Sequence, residues 1–270
     1  MLPGVFQATK KDGTLYFRSS ITCKNKHISL GSFETEALAH AAYLEAKRLL
    51  SDFSLTLMNH SLQKAVLSFP KWVSLINFRD NKIYIKTPVY LQNRYFYYYF
   101  SLDDYLIFDV DDLFYYTTHT IMRRGGHLFV ADYGMQINIL SRYGIKNFAV
   151  CGRDYRFLNG NSSDFRYENL EIINRFHGVS KKKNGSIPFF ETKIHVNGDY
   201  IVGRYPDEIT AAVAYNKAAT ILIKKGYDKA YPVNFIEETD SETYKKLFQS
   251  VSVSKKIREL PQKEEPHSTM

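Results

Sequence analysis

Five aspartates, Asp103, Asp104, Asp109, Asp111 and Asp112, crowd into residues 103–112. Carboxylates at such density are the raw material of a divalent-cation site, because hard cations take oxygen ligands. The run lacks a glycine-containing loop with ligands at fixed spacing, so it reads as a solvated acidic face. His119, His127 and His177 stand apart from one another and are expected in structural or surface roles. Cys23 and Cys151 are too far apart for a metal or disulfide framework. No metal and no cofactor is expected. The cationic residues point elsewhere. Lys10 and Lys11, Lys24 and Lys26, and Lys181, Lys182 and Lys183 cluster beside turns in a chain of formal net charge +8. Their chemistry is that of a polyanion partner.

The elements that would carry those lysines are short strands. Val5 to Thr9 reads as a strand, and Lys10 to Gly13 as a turn. Leu15 to Cys23 alternates, with Phe17, Ser19, Ile21 and Cys23 on one face and Arg18, Ser20 and Thr22 on the other. That period marks a half-buried strand. Lys24-Asn25 is a tight connection, and His27 to Leu30 forms a third strand. Thr35 is placed to cap a helix in which Glu36 favours the N-terminal dipole. From Phe33, Ala39, Ala42, Tyr43 and Ala46 follow at six, nine, ten and thirteen positions. From Tyr205, Ala211, Ala214, Tyr215 and Ala218 follow at the same offsets. A repeated spacing behind a Gly-x-aromatic corner indicates an internal duplication with another unit inserted between the copies. The narrow alanine face lets each helix lie close against its sheet and leaves the sheet's other face wet.

The chain divides into residues 1–57, a connecting segment 58–85, a central unit 86–176, the second copy 177–236 and a C-terminal segment 237–270. In the connecting segment, Trp72 to Ile76 reads as a strand, with Trp72 in the core. Val89 to Phe100 reads as a tyrosine-rich hairpin, His127 to Val130 as a strand and Met135 to Tyr143 as a short helix. Gly226 is a natural stop for the second small-residue helix. Glu242 to Val253 suits a last helix, and Lys255 to Met270 reads as a disordered tail. The 21 Tyr and 19 Phe favour β-rich packing. No apolar run approaches the ~18 residues a membrane helix needs, and no secretory segment opens the chain. A reducing, cytoplasmic compartment is expected.

Gly4-Val5, Gly31-x-Phe33 and Ala41-Ala42-Tyr43 in the first copy, with Gly178-Val179, Gly203-x-Tyr205 and Ala211 to Tyr215 in the second, resemble AP2/ERF DNA-binding domains. The resemblance implies a three-stranded antiparallel sheet backed by one helix, its free face entering the major groove of double-stranded DNA. Carried over by position, the DNA-binding set is Arg18, Ser20, Thr22, His27 and Ser29, flanked by Lys10, Lys11, Lys24 and Lys26. In the second copy it is Lys193 and His195 beside Glu191, with Ser180, Lys182 and Lys183 nearby. Where the family favours arginines this chain has Ser20, Thr22 and Glu191, and its usual strand tryptophan is Phe17 or Phe190.

Asp154 to Asn161, with its Asn159-Gly160-Asn161 turn, followed by Asn169-Leu170, resembles the closing motif of the HNH nuclease fold in phage-type HNH–AP2 homing endonucleases. The family's Asp-His pair, metal ligand and general base, falls on Arg156 and Phe157, and its upstream histidine on Asn138. Arginine cannot ligate a divalent cation, and phenylalanine cannot take a proton from water. The resemblance therefore implies a scaffold without its chemistry. The resulting expectation is an α+β protein: two AP2-like modules around a central HNH-like domain. It would be a sequence-specific DNA binder, a transcription regulator or mobile-element derivative, associated with the nucleoid. The alternatives are an HNH endonuclease with an altered site and a protein-interaction module.

Overall fold

The computed structural model describes residues 1–227 and 229–263. It is a mixed α+β fold with seven α-helices and four three-stranded antiparallel sheets among those residues. The chain falls into two compact units. The first comprises Met1–Ile139 and Phe157–Leu170, and the second Leu140–Arg156 and the chain from Glu171 onward.

The first unit opens with β1 (Val5–Thr9), β2 (Leu15–Cys23) and β3 (Lys26–Phe33), a meander in which β2 is central. Lys24 and Asn25 both have positive φ, the mark of a type I′ two-residue turn that matches the strand twist. Helix α1 (Glu36–Ser51) begins where the Thr35 hydroxyl accepts the Leu38 N–H, as expected of its cap. Ala39, Ala42, Ala46 and Leu49 form its buried stripe, and Ile21, Ile28 and Leu30 meet them from the sheet.

The connecting segment departs from expectation. It holds α2 (Asn59–Leu62) and α3 (Phe69–Asn81), so Trp72 to Ile76 is helical rather than extended. Every residue from Trp72 to Arg79 is buried. A helix covered on all sides has no polar stripe to reveal its 3.6-residue period, and a short apolar run then imitates a strand. Trp72 is fully buried, as expected, and its indole N–H donates to the Thr56 carbonyl.

Beyond it, β4 (Val89–Leu91) and β5 (Tyr95–Tyr99) form the expected hairpin, and β6 (Tyr105–Asp109) adds a third strand. Alternation sends Phe96, Tyr98, Leu106 and Phe108 into the core. After α4 (Leu113–Thr118) comes a sheet of β7 (Ile121–Arg124), β8 (His127–Asp132) and β9 (Met135–Asn138). Met135 to Tyr143 is thus not one helix. The Tyr133-Gly134 turn, both residues at positive φ, folds β9 back onto β8, and only Ile139–Tyr143 coils into a 3₁₀ turn. The strands β10 (Tyr155–Phe157) and β11 (Leu170–Ile172) form a two-stranded ribbon.

The second unit repeats the first motif as β12 (Val179–Asn184), β13 (Ile187–His195), β14 (Asp199–Tyr205) and α5 (Glu208–Lys224). Asp207 caps α5, and Ala211, Ala214 and Ala218 are fully buried. The helix stops before Gly226, whose φ is +79°. Asn234 and Asn216 exchange two hydrogen bonds of 2.8 Å, which dock the segment after the helix. Helix α6 (Ser241–Ser250) is the expected last long element. The expected disordered tail is ordered at its start: α7 (Lys255–Arg258) buries Ile257 in the second core. A mainly charged sequence concealed one apolar anchor. Residues 264–270 of that tail lie outside the described residues.

Candidate nucleic-acid interface

In the first copy the pleat of β2 decides which residues are free. Ser19 and Ile21 are buried against α1, while Arg18 and Thr22 are exposed on the other face and Ser20 is half-buried there. Cross-strand register sets Arg18 between Phe6 and Ser32, Ser20 opposite Ser29 and Thr22 opposite His27. The Thr22 hydroxyl lies 3.4 Å from His27 Nδ1. Arg18, Ser20, Thr22, His27 and Ser29 are therefore brought together on one outer face, joined by Phe6 and Ser32, which the sequence reading omitted. Among the described residues no carboxylate pairs with Arg18. Lys10 and Lys11 are exposed at the β1–β2 turn, which is closed by the Gly13 N–H donating to the Lys10 carbonyl.

Lys24 and Lys26 do not join this face. Lys26 pairs with Cys23, one step from Ile21 and Ile28, so it belongs to the helix side of the sheet. The Lys26 Nζ sits 5.7 Å from the Tyr84 ring centre, and the Lys24 Nζ 5.9 Å from that of Phe78. The two lysines flank the face, as expected from the sequence, but the two-residue strand period carries Lys26 to the opposite side of the sheet from His27.

The second copy has the same backbone and a different charge pattern. Ser180, Glu191 and Arg204 line up across the three strands, Lys182 faces Phe189, Lys193 faces Ile201 and His195 faces Asp199. Lys183 alternates away from Ser180 and Lys182. Glu191, 9% exposed, receives Arg204 Nε at 3.4 Å and Lys193 Nζ at 3.8 Å. His195 and Asp199 pair at 2.9 Å, and that bond holds the Asp199 carboxyl below its ordinary range. The Arg204 guanidinium also lies over the Phe189 ring at 5.5 Å. Arg204 was missed by sequence reasoning. Its signal was the step from Arg204 to the buried Tyr205: Gly203 and Tyr205 pair with the inward Thr192 and Phe190, which turns the arginine between them outward beside Glu191.

Both copies share one irregularity. The ladder shifts between Ser19 and Ser20 and again between Thr192 and Lys193, so Leu30 and Val202 are extra residues in the partner strand. Each is buried, and each precedes the corner glycine. This β-bulge bends the sheet around its helix.

The turn of the central segment is tightly bonded. The Asn159 N–H donates to Asn169 Oδ1 at 2.8 Å, the Asn159 amide donates to Asp164 Oδ2 at 2.9 Å, and the Asn161 N–H donates to Asn159 Oδ1 at 2.8 Å. Arg156 is ion-paired with Glu171, and the Phe157 ring stands edge-on to Phe165 at 5.5 Å. Asp104 pairs with Arg123 at 2.6 Å, and Asp109 accepts the Tyr167 N–H at 2.7 Å. His119 stacks on Tyr115 at 4.1 Å with its Nε2 3.5 Å from Asp132, and His127 is exposed at the start of β8. Among the described residues no three His, Cys, Asp or Glu side chains gather as a metal site would require. No helix there is long and apolar enough to cross a membrane.

No family model, no curated protein and no solved structure matches the chain.

Proposed function

We propose that this chain binds double-stranded DNA, reading bases with the outer face of β1–β3 and holding phosphates with the outer face of β12–β14. The observation that carries the reading is the first face itself. Arg18 has no acidic partner there and is surrounded by Ser20, Ser29, Ser32, Thr22 and His27, all donors or acceptors on a gently bent sheet. A strand ribbon fits the major groove, where arginine addresses guanine bidentately and hydroxyls adapt to either base. The likeness of both modules to AP2/ERF domains supports the same use.

The second face, with Lys193 and Arg204 already engaged by Glu191 and His195 by Asp199, suits backbone contacts better than base readout. The HNH-like segment carries an ion pair and an aromatic contact where its chemistry would need a metal ligand and a base, which favours a binder over a nuclease. Two linked modules raise the apparent affinity when both reach one duplex. A regulator of transcription, or a binder derived from a mobile element, is the role this assigns.

The test is selection from a random duplex library at two salt concentrations, with and without magnesium. An enriched motif on intact duplexes is expected. Arg18→Ala should then weaken the motif by about 10- to 100-fold and random duplex far less, the cost of one bidentate base contact. Equal losses on both would remove the base-reading role. Retention that vanishes with salt and shows no motif would favour a protein partner for the sheets, and duplexes shortened only with magnesium would mean an active nuclease.

A further inference from the structure

The two lysines that leave the outer face of the first sheet converge with two others. Lys71, in the first turn of α3, donates from Nζ to the Tyr84 hydroxyl at 3.3 Å and lies 5.9 Å from the ring centre. Lys26 reaches the same ring at 5.7 Å from the end of β3. Lys86, exposed and two residues beyond Tyr84, lies near enough for its charge to act on both Tyr84 and Lys71. Next to them Lys24 covers Phe78, whose ring stands edge-on to Tyr84 at 5.9 Å.

Three ammonium groups thus surround one phenol. Burial pushes the Tyr84 phenol above its ordinary value against the charges of Lys26 and Lys86, while burial and then the charge of Lys86 pull Lys71 below its ordinary value. Among the described residues no carboxylate pairs with Lys26, Lys71 or Lys86. Contacts between lysine and an aromatic ring contribute about 0.5–1 kcal/mol each at exposed sites. They do not explain why like charges collect without a counter-charge, an arrangement that disfavours each of them.

We propose that Lys26, Lys71, Lys86 and the Tyr84 hydroxyl form a phosphate-binding cradle. Lysine is a compact point charge with three donors, suited to phosphate oxygens. Because Lys71 donates to the Tyr84 oxygen, the phenol proton is free to point at the ligand. The cradle adjoins the Thr22–His27 pair at one end of the outer face, across the sheet. A backbone phosphate of bound nucleic acid and a free phosphate share this chemistry; only the first source rests on the DNA-binding reading.

The test uses the full chain. In wild type, inorganic phosphate should raise the unfolding temperature saturably over chloride at matched ionic strength. Lys71→Gln/Lys86→Gln should abolish that rise, yet in chloride alone unfold at the same or a higher temperature, because like charges have been removed. Lys86→Gln alone, at an exposed position, guards against a folding defect and should weaken the response. Tyr84→Phe keeps every charge and should also weaken it. In parallel, binding to a random-sequence duplex should show a log K against log salt slope shallower by about two in the double variant, one per phosphate-directed lysine.

Loss of the phosphate response with an unchanged slope assigns a free anion. A shallower slope without a phosphate response assigns the duplex backbone. A double variant that keeps both the wild-type response and the wild-type slope overturns the cradle. Failure of base reading would show separately, as an Arg18→Ala protein with unaltered sequence preference.

Discussion

Gly4 and Gly178 stand at φ of +76° and +72°, and their carbonyls accept the N–H of Ser20 at 3.0 Å and of Lys193 at 2.8 Å. The Tyr43 ring closes over the first glycine and Tyr215 over the second, so a Cβ on either would fall within the ring. The Gly-Val and Ala-Ala-Tyr motifs were visible in both copies of the sequence. Their contact was not, because nothing local says that a glycine near the start of a module is covered by a tyrosine deep in its helix. Gly178→Ala combines a left-handed backbone with a clash, and should destabilise the second unit by about 2–4 kcal/mol. Gly13, at φ +84° over open space, isolates the backbone part, and Gly13→Ala should cost about 1 kcal/mol. Urea unfolding of the two variants makes the comparison. Equal losses would mean that the tyrosine rings yield freely.

At the level of elements, strands with one wet face and helices with one apolar stripe were legible, because their periods survive in the residue order. Helix α3 was not, and its burial is the reason. It also holds a charge where none would be sought: Arg79, 6% exposed, pairs with Asp80 at 2.6 Å. Its Nη1 donates to the carbonyls of Leu49, Asp52 and Leu55, at 3.3, 2.7 and 2.8 Å. Those carbonyls close α1 and the turn after it, so one guanidinium joins the end of the first module to the helix that completes its core. Arg79→Met keeps the aliphatic stem and strands three carbonyls. A loss of about 3–5 kcal/mol follows if the network acts as one buried unit. Chemical denaturation reads it, and a loss below about 1 kcal/mol would show that water replaces the guanidinium. The outer faces were legible for the same reason as the strands, whereas the side of the sheet taken by the flanking Lys26 and Lys183 follows only from the pairing register.

For the whole molecule, two compact units imply unfolding that is not all-or-none. Acid should separate them. His177, half-buried in the second unit, has its pKa lowered first by burial and then by the charge of Lys146. A folded value below the unfolded one means that the unfolded chain takes up the proton first. The stability is therefore complete above about pH 6.5 and declines as the pH falls below it. Asp154 follows at lower pH. Burial alone would raise its pKa, but Arg153, the Val150 N–H and Lys146 hold it below the ordinary value, so its contribution disappears as pH falls through that folded value. Calorimetry between pH 7.5 and 5.5 should show the transition of the second unit moving down, and His177→Gln should flatten that shift. An identical shift in the variant would place the proton elsewhere. The duplicated bulge has one more consequence. Because Leu30 and Val202 are absorbed at the same step of the ladder, Arg18 and Glu191, Ser20 and Lys193, and Thr22 and His195 occupy matching outward positions on matching backbones. The turns around this step differ in length, Lys24-Asn25 in the first copy and Val196 to Gly198 in the second, and the three display positions carry unlike chemistries. Substitution at these positions leaves the register intact, whereas a one-residue insertion or deletion within a strand beside the bulge would move its outward residues to the helix side. The copies share the bulge and differ in what they show.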